Sequence, residues 1–164
     1  MENWAPIRGF SGYSVSDLGR VRNEDTKRVL SISMNQYGTA YVGIMRDGIR
    51  CQRSLALLVA KAFLPEPEEF FDTPINLDGD RFNCAVDNLM WRPRWYARKY
   101  HWQFRHRYPS EALRAPLRAI ETGVVYRSPF DAAKAYGLLE VDVRQSANFG
   151  THTPLTFTHF EWGG

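Results

Sequence analysis

PINLDGDRFNCAVDNLMW, Pro74 to Trp91, is the stretch on which the reading of this chain turns. Asp78-Gly79-Asp80 is strong turn chemistry, with short apolar segments on either side. AVDNLMW, residues 85–91, then reads as the start of a helix. The expected local structure is a tight β-hairpin running into a helix. That is a compact platform on which one metal ion and one base can be held.

Composition bounds the rest. A chain of 164 residues with 44% hydrophobic and 24% charged residues can bury one core, or two small ones. Aromatic content is high at 14%, and the net charge is +3 with a pI near 9.0, which is compatible with nucleic-acid binding. Cys51 and Cys84 have no metal-ligand spacing and read as free thiols in a reducing compartment. The opening MENWAPIRGF has no apolar run of the signal-peptide kind, and no stretch approaches membrane-spanning length. The expectation is a cytoplasmic protein with no membrane partner.

Upstream of the central stretch, Tyr13–Ser16 and Gly19–Arg22 read as strands, with Trp4, Phe10 and Tyr13 as a small core. RVLSISMN and TAYVGIMRD (28–35 and 39–47) read as further strands. Asp47-Gly48 is a two-residue hairpin signal before IRCQRS. Ser54 is placed to cap a helix over Leu55–Phe63, whose inner face is Leu55, Leu58, Val59, Ala62 and Phe63. PEPEEFFD, residues 65–72, reads as a solvated acidic loop.

Downstream the character changes. Arg92, Arg94, Arg98, Lys99, Arg105 and Arg107 are interleaved with Trp95, Tyr96, Tyr100, Trp102, Phe104 and Tyr108, and no carboxylate occurs between Asp87 and Glu111. Guanidinium groups grip phosphates in a bidentate manner, and rings beside them can stack on bases. The alternative is an amphipathic helix with aromatics inside and cations in water; both can hold. EALRA, residues 111–115, reads as a short helix. A hairpin follows over Glu121-Thr122-Gly123. Ser128-Pro129 starts a helix that Gly137 ends, a second helix ends at Gly150, and TPLTFTHFEW closes the chain as a strand pair or tail. The second helix presents Asp142, Arg144, Gln145 and Asn148. His152 and His159 read as surface or packing residues.

Four segments carry a family resemblance. Leu77-Asp78-Gly79-Asp80, Asn83 and Asn88-Leu89 with Trp91 resemble the end of the HNH motif of phage and intron homing endonucleases, with its "IDGD" turn and closing "NLEW". GYSVSDLGRVRN, residues 12–23, resembles the nuclease-associated modular domain that begins many of them. LLVAKAF resembles their "HRLVAxAF", with Ala56-Leu57 in place of His-Arg. The ending resembles their small helix-turn-helix module. The implied fold is α+β: an N-terminal β-hairpin module joined to a ββα-metal (His-Me finger) HNH-like domain, then a hairpin plus helix-turn-helix module. The expected boundaries are 1–50, 51–104 and 110–164.

The resemblance also implies roles. Asn76 stands where the family has its general-base His, and Ile75 where it often has Asp or Asn. Asn83 is the return-strand residue that braces the hairpin, and Asn88 is the metal-ligand position. An amide cannot take up a proton near neutral pH, and loss of a general base alone costs about 10²–10⁴ in rate. The first reading is therefore a phage-type DNA-binding protein with a degenerate centre and no cofactor. In it Arg92, Arg94, Arg98, Lys99, Arg105, Arg107, Arg144, Gln145 and Asn148 contact double-stranded DNA. Two others stay open: an active nicking or double-strand endonuclease using Mg²⁺ or another divalent cation, and a phage factor that binds a host or viral protein.

Overall fold

In the computed structural model, which describes residues 1–105 and 115–163, the chain up to Ser54 forms two three-stranded antiparallel sheets. The first holds β1 (Trp4–Pro6), β2 (Tyr13–Ser16) and β3 (Val21–Asn23), with β2 central; the second holds β4 (Ser33–Met34), β5 (Ala40–Arg46) and β6 (Ile49–Ser54), with β5 central. Asp47 and Gly48 both have positive φ, 52° and 76°, as a type I′ hairpin turn requires. The strand expected over 28–35 shrinks to Ser33–Met34 plus one bridge between Val29 and Arg22. Asn23 accepts the Asp25 and Thr26 N–H groups with its side chain and Lys27 sits at φ 58°, so the chain turns where the strand was expected to start. Trp4 is half-buried, with the Arg22 guanidinium 4.1 Å from its ring centre.

Ser54 caps α1 (Leu55–Phe63), its hydroxyl accepting the Leu57 N–H at 3.4 Å. The deepest face of α1 is Leu55, Ala56, Val59 and Ala60, whereas Leu58, Ala62 and Phe63 are half-buried. Two alanines at i and i+4 let the helix backbone approach its neighbours closely, which a count of large apolar residues does not anticipate. Ile7, Phe10, Val15 and Val21 from the first sheet, Val42 and Ile44 from the second, Leu55 and Val59 from α1, and Cys84 and Leu89 share one core.

The central stretch departs from expectation in one respect. β7 (Thr73–Asn76) pairs with β8 (Leu89–Arg92), Asn76 opposite Leu89 and Thr73 opposite Arg92. Residues 85–91 are therefore not a helix start: Val86–Asn88 is a single 3₁₀ turn, and the chain then extends. The return strand does not follow the Asp78-Gly79-Asp80 turn directly; residues 80–85 are loop. Pro93 disfavours helical backbone at Arg92, and the β7 edge takes the extended segment. α2 (Arg94–Gln103) starts only after that proline.

These elements up to Ala97 form one compact unit, and Arg98–Gly164 form a second. Within the first, the β2–β3 turn lies against the central loop: the Val86 N–H donates to Asp17 O at 2.8 Å. Gly19, at φ 80°, leaves room there for only a hydrogen, since a Cβ would lie 3.0 Å from the Cys84 carbonyl carbon. Gly19→Ala combines left-handed backbone strain with a backbone clash, and is expected to destabilise the first unit by about 2–4 kcal/mol, read by urea denaturation. A cost below about 0.5 kcal/mol would show that the turn is not held against the loop.

In the second unit β9 (Leu117–Ala119) lies between β10 (Val125–Tyr126) and β11 (Phe160–Trp162), so the ending is a third strand on the expected hairpin. α3 (Pro129–Tyr136) is capped by Ser128, whose hydroxyl accepts the Asp131 N–H at 3.1 Å, and ends at left-handed Gly137. α4 (Glu140–Phe149) ends at Gly150, and Leu139, in the capping position before it, supplies no side-chain cap. Gln103 supplies one: its Oε1 accepts the Glu140 N–H at 3.0 Å while its Nε2 donates to Leu138 O at 3.2 Å. Leu117, Phe130, Leu138, Val143 and Phe160 are buried here. The expected helix over 111–115, with His106, Arg107 and Tyr108, lies outside the described residues apart from Ala115. No helix among the described residues is long and apolar enough to cross a membrane.

Candidate functional site

β7 delivers Ile75 and Asn76, both with 0% exposure. The Asn76 amide donates through Nδ2 to Asn83 O at 2.9 Å and lies 3.7 Å from Cys84 Sγ. Asn88, closing the 3₁₀ turn, donates through Nδ2 to the same carbonyl at 2.8 Å and to Asp78 Oδ1 at 2.9 Å, while its Oδ1 accepts the Asp78 N–H at 3.1 Å. Asn83 Nδ2 donates to Asp78 Oδ2 at 2.7 Å, and the Asp80 N–H donates to Asp78 Oδ1 at 2.9 Å. The three asparagines therefore converge on one carbonyl, Asn83 O, and one carboxylate, Asp78. Partial burial pushes the Asp78 carboxyl up, but the donors from Asn83, Asn88 and Asp80 outweigh it and hold it below the usual range. Burial pushes the Cys84 thiol up, so it stays protonated near neutral pH.

The donor set does not suit a divalent cation. Ile75 offers no ligand atom. The oxygen and nitrogen of Asn88, the position expected to hold metal, are engaged within the loop. Among the described residues no group of three or more His, Cys, Asp or Glu is arranged to hold a metal ion. Asn76, where the resemblance implies a base, offers an amide pointed into the protein. Along the sequence, residues 64–91 carry seven carboxylates against one cation, Arg81. Anion repulsion of that kind hinders the approach of a DNA backbone unless something neutralises it.

The cationic positions divide. Arg92 is 6% exposed at the end of β8 and donates through Nη1 to Trp91 O at 2.8 Å, so it is a buried structural group. On α2, Arg94, Arg98 and Lys99 are exposed together with Trp95 (57%) and Trp102 (59%), and Arg105 is exposed just beyond. Tyr96, Ala97 and Tyr100 are buried on its other side. Tyr100 packs edge-on to Phe104 at 5.5 Å and Phe104 to Phe130 at 5.2 Å. The helix thus has aromatics on both faces, tyrosines inward and tryptophans outward. Arg107 lies outside the described residues.

On α4, Arg144, Gln145 and Asn148 are exposed, and Glu140 and Asp142 are half-buried. Val141 and Phe149 share the exposed side. The His152 and His159 rings stack at 3.8 Å, with His159 Nε2 3.1 Å from Gly150 O, so both pack beside the end of α4. Three features escaped the sequence reading: Asp78 as the hub of the loop, Gln103 as the cap of α4, and a hydrogen bond from Trp162 Nε1 to Asn148 Oδ1 at 2.9 Å. Only the first left a sequence signal, in its neighbouring Asn83 and Asn88.

Residues 2–44 match the NUMOD4 motif. Two uncharacterized HNH endonucleases of Acanthamoeba polyphaga mimivirus are similar to this chain: one is 27% identical over 88 residues, 54% of this chain and 26% of that protein. The other is 33% identical over 88 residues, 52% of this chain and 22% of that protein. The chain thus spans about a quarter of the length of these relatives. Its fold is similar to that of the HNH homing endonuclease I-HmuI, solved in a study of DNA binding and cleavage by that enzyme, with a TM-score of 0.55, 22% identity and 98% of each chain covered.

Proposed function

For a chain related to the HNH homing endonucleases, we propose that it binds double-stranded DNA without cutting it. The observation that carries this reading is Asn76: fully buried, facing Asn83 O, and next to buried Ile75. The loop that corresponds to the nuclease centre serves as a brace joining β7 to β8, and no catalytic step is assigned to it. β7, β8 and α2 are read as the remnant of a ββα-metal unit, and α3 with α4 as the helix-turn-helix.

Affinity comes from Arg94, Arg98, Lys99 and Arg105, which neutralise phosphates and release counterions. Arg144, Gln145 and Asn148 of α4 contact base edges. Residues 115–164 carry five carboxylates against four cations. Such a module cannot hold DNA by charge alone, which suits a part that specifies while the basic stretch positions. The test is a gel shift on a linear duplex in EDTA and in Mg²⁺. Binding is expected in EDTA without any divalent ion, and Mg²⁺ should only weaken it by competing for the phosphates, because counterion release needs no bound metal. Binding that requires the divalent ion would contradict the reading.

A second reading, a protein partner, is favoured by Phe70, exposed at φ 69° among Glu66, Glu68, Glu69 and Asp72. Recovery of one stoichiometric protein from nuclease-treated lysate, with no duplex affinity, would support it over the first.

A further inference from the structure

α4 and β11 are tied at two successive points: the Phe160 N–H donates to Ser146 Oγ at 2.9 Å, and Trp162 Nε1 donates to Asn148 Oδ1 at 2.9 Å. The second tie has a chemical consequence. An indole N–H only donates, so the amide atom facing it is the carbonyl oxygen, and Asn148 turns its NH₂ group outward. Asn148 is exposed, and Arg144 and Gln145, one helical turn earlier, share its side of α4. A free asparagine reads adenine by accepting from N6 and donating to N7 at once. An asparagine whose oxygen faces an indole has one lone pair of that oxygen taken and its amide plane fixed, so its NH₂ group is the half presented to a base. The base edge that suits two outward N–H groups is guanine, whose O6 and N7 both accept in the major groove.

We propose that Trp162 is a positioning residue that locks Asn148 as a donor, so that α4 selects guanine over adenine at one base pair of its site. This rests on the DNA-binding reading above. Two neighbouring groups fit it. Arg144 adds donors of the same kind, while Glu140 and Asp142, the only carboxylates on α4, are half-buried.

The test selects a duplex library with a random core on the wild type, W162F, N148A and N148D, and reads base preference position by position. The wild type is expected to favour guanine over adenine at one position on the order of tenfold. N148A should lose that preference there and nowhere else. N148D, whose carboxylate still accepts from Trp162 but offers no donor, should lose it with a Tm lowered by no more than a few degrees, the cost of a negative charge in the last turn of α4. W162F keeps the ring but frees the amide, and should shift the same position toward adenine. Without DNA, the Trp162 indole N–H should be protected from hydrogen exchange in the wild type and lose that protection in N148A. A W162F protein with the wild-type preference, an N148A protein with all preferences intact, or a fast-exchanging wild-type indole overturns the proposal. Salt-dependent duplex binding with no base preference overturns this assignment alone; absence of any duplex binding overturns the DNA reading with it.

Discussion

Replacing Arg94, Arg98, Lys99 and Arg105 together by alanine is expected to reduce duplex affinity on the order of a thousandfold at about 0.1 M salt, on every sequence alike. Each phosphate contact removed lowers the slope of log K against log salt by about 0.9, so four contacts lower it by about 3.6. All four side chains are exposed, and no carboxylate lies between Asp87 and Glu111 to neutralise them in sequence. Arg92 serves as the internal contrast. It is buried and bonded to Trp91 O, so Arg92→Ala should lower stability and leave the salt slope of the folded fraction unchanged. An unchanged slope in the folded quadruple variant would mean that the exposed face of α2 does not meet phosphate.

Asp78→Ala should have the largest effect on stability among the loop residues. The carboxylate accepts from Asn83, Asn88 and the Asp80 N–H, and those donors hold the loop that closes β7 against β8. Hydrogen bonds to charged groups contribute about 1.5–3 kcal/mol each when protected, and less at a surface. Allowing for the exposure of this side chain, the loss is about 2–4 kcal/mol, or a fall in Tm of about 10–20 °C. A second readout follows from the depressed carboxyl. Its folded value lies below its unfolded one, so its contribution is complete above the ordinary carboxylate range and is lost as pH falls through the folded value. The wild type should therefore lose more stability between about pH 5 and pH 2 than Asp78→Ala does. Parallel acid profiles would show that Asp78 is not the hub. Acid also protonates Glu2 and Glu24, both held down to about 2, chiefly by Arg20 and by Lys27 respectively; this pairing is common to both proteins and cancels in the comparison.

Much of the fold was legible because local chemistry dictates it. Asp47-Gly48 could only be a hairpin turn, Ser54 and Ser128 were placed to cap, and Gly137 and Gly150 to end helices. Residues 85–91 were misread because their choice between helix and strand is made by β7, thirteen residues away at Asn76 and Leu89, and not by the segment itself. Ala56 and Ala60 lie outside the face expected from spacing, Leu55, Leu58, Val59, Ala62 and Phe63, yet they are buried, and their smallness lets α1 settle closely. The candidate centre was legible in its residue types and illegible in its wiring. The sequence spells Asn76, Asn83 and Asn88, but not that two of these amides share one carbonyl, nor that Asn88 is occupied by Asp78. The tie between Asn148 and Trp162 spans fourteen positions of chain and carries no pattern a linear reading can detect.

The most direct test of the central claim is to follow binding and strand scission on one supercoiled plasmid, with the purified protein in Mg²⁺ or Mn²⁺. The protein should retard the plasmid and leave it supercoiled, since Asn76 is not a base and Ile75 is not a ligand. Metal-dependent nicking that co-elutes with the folded protein would contradict the account.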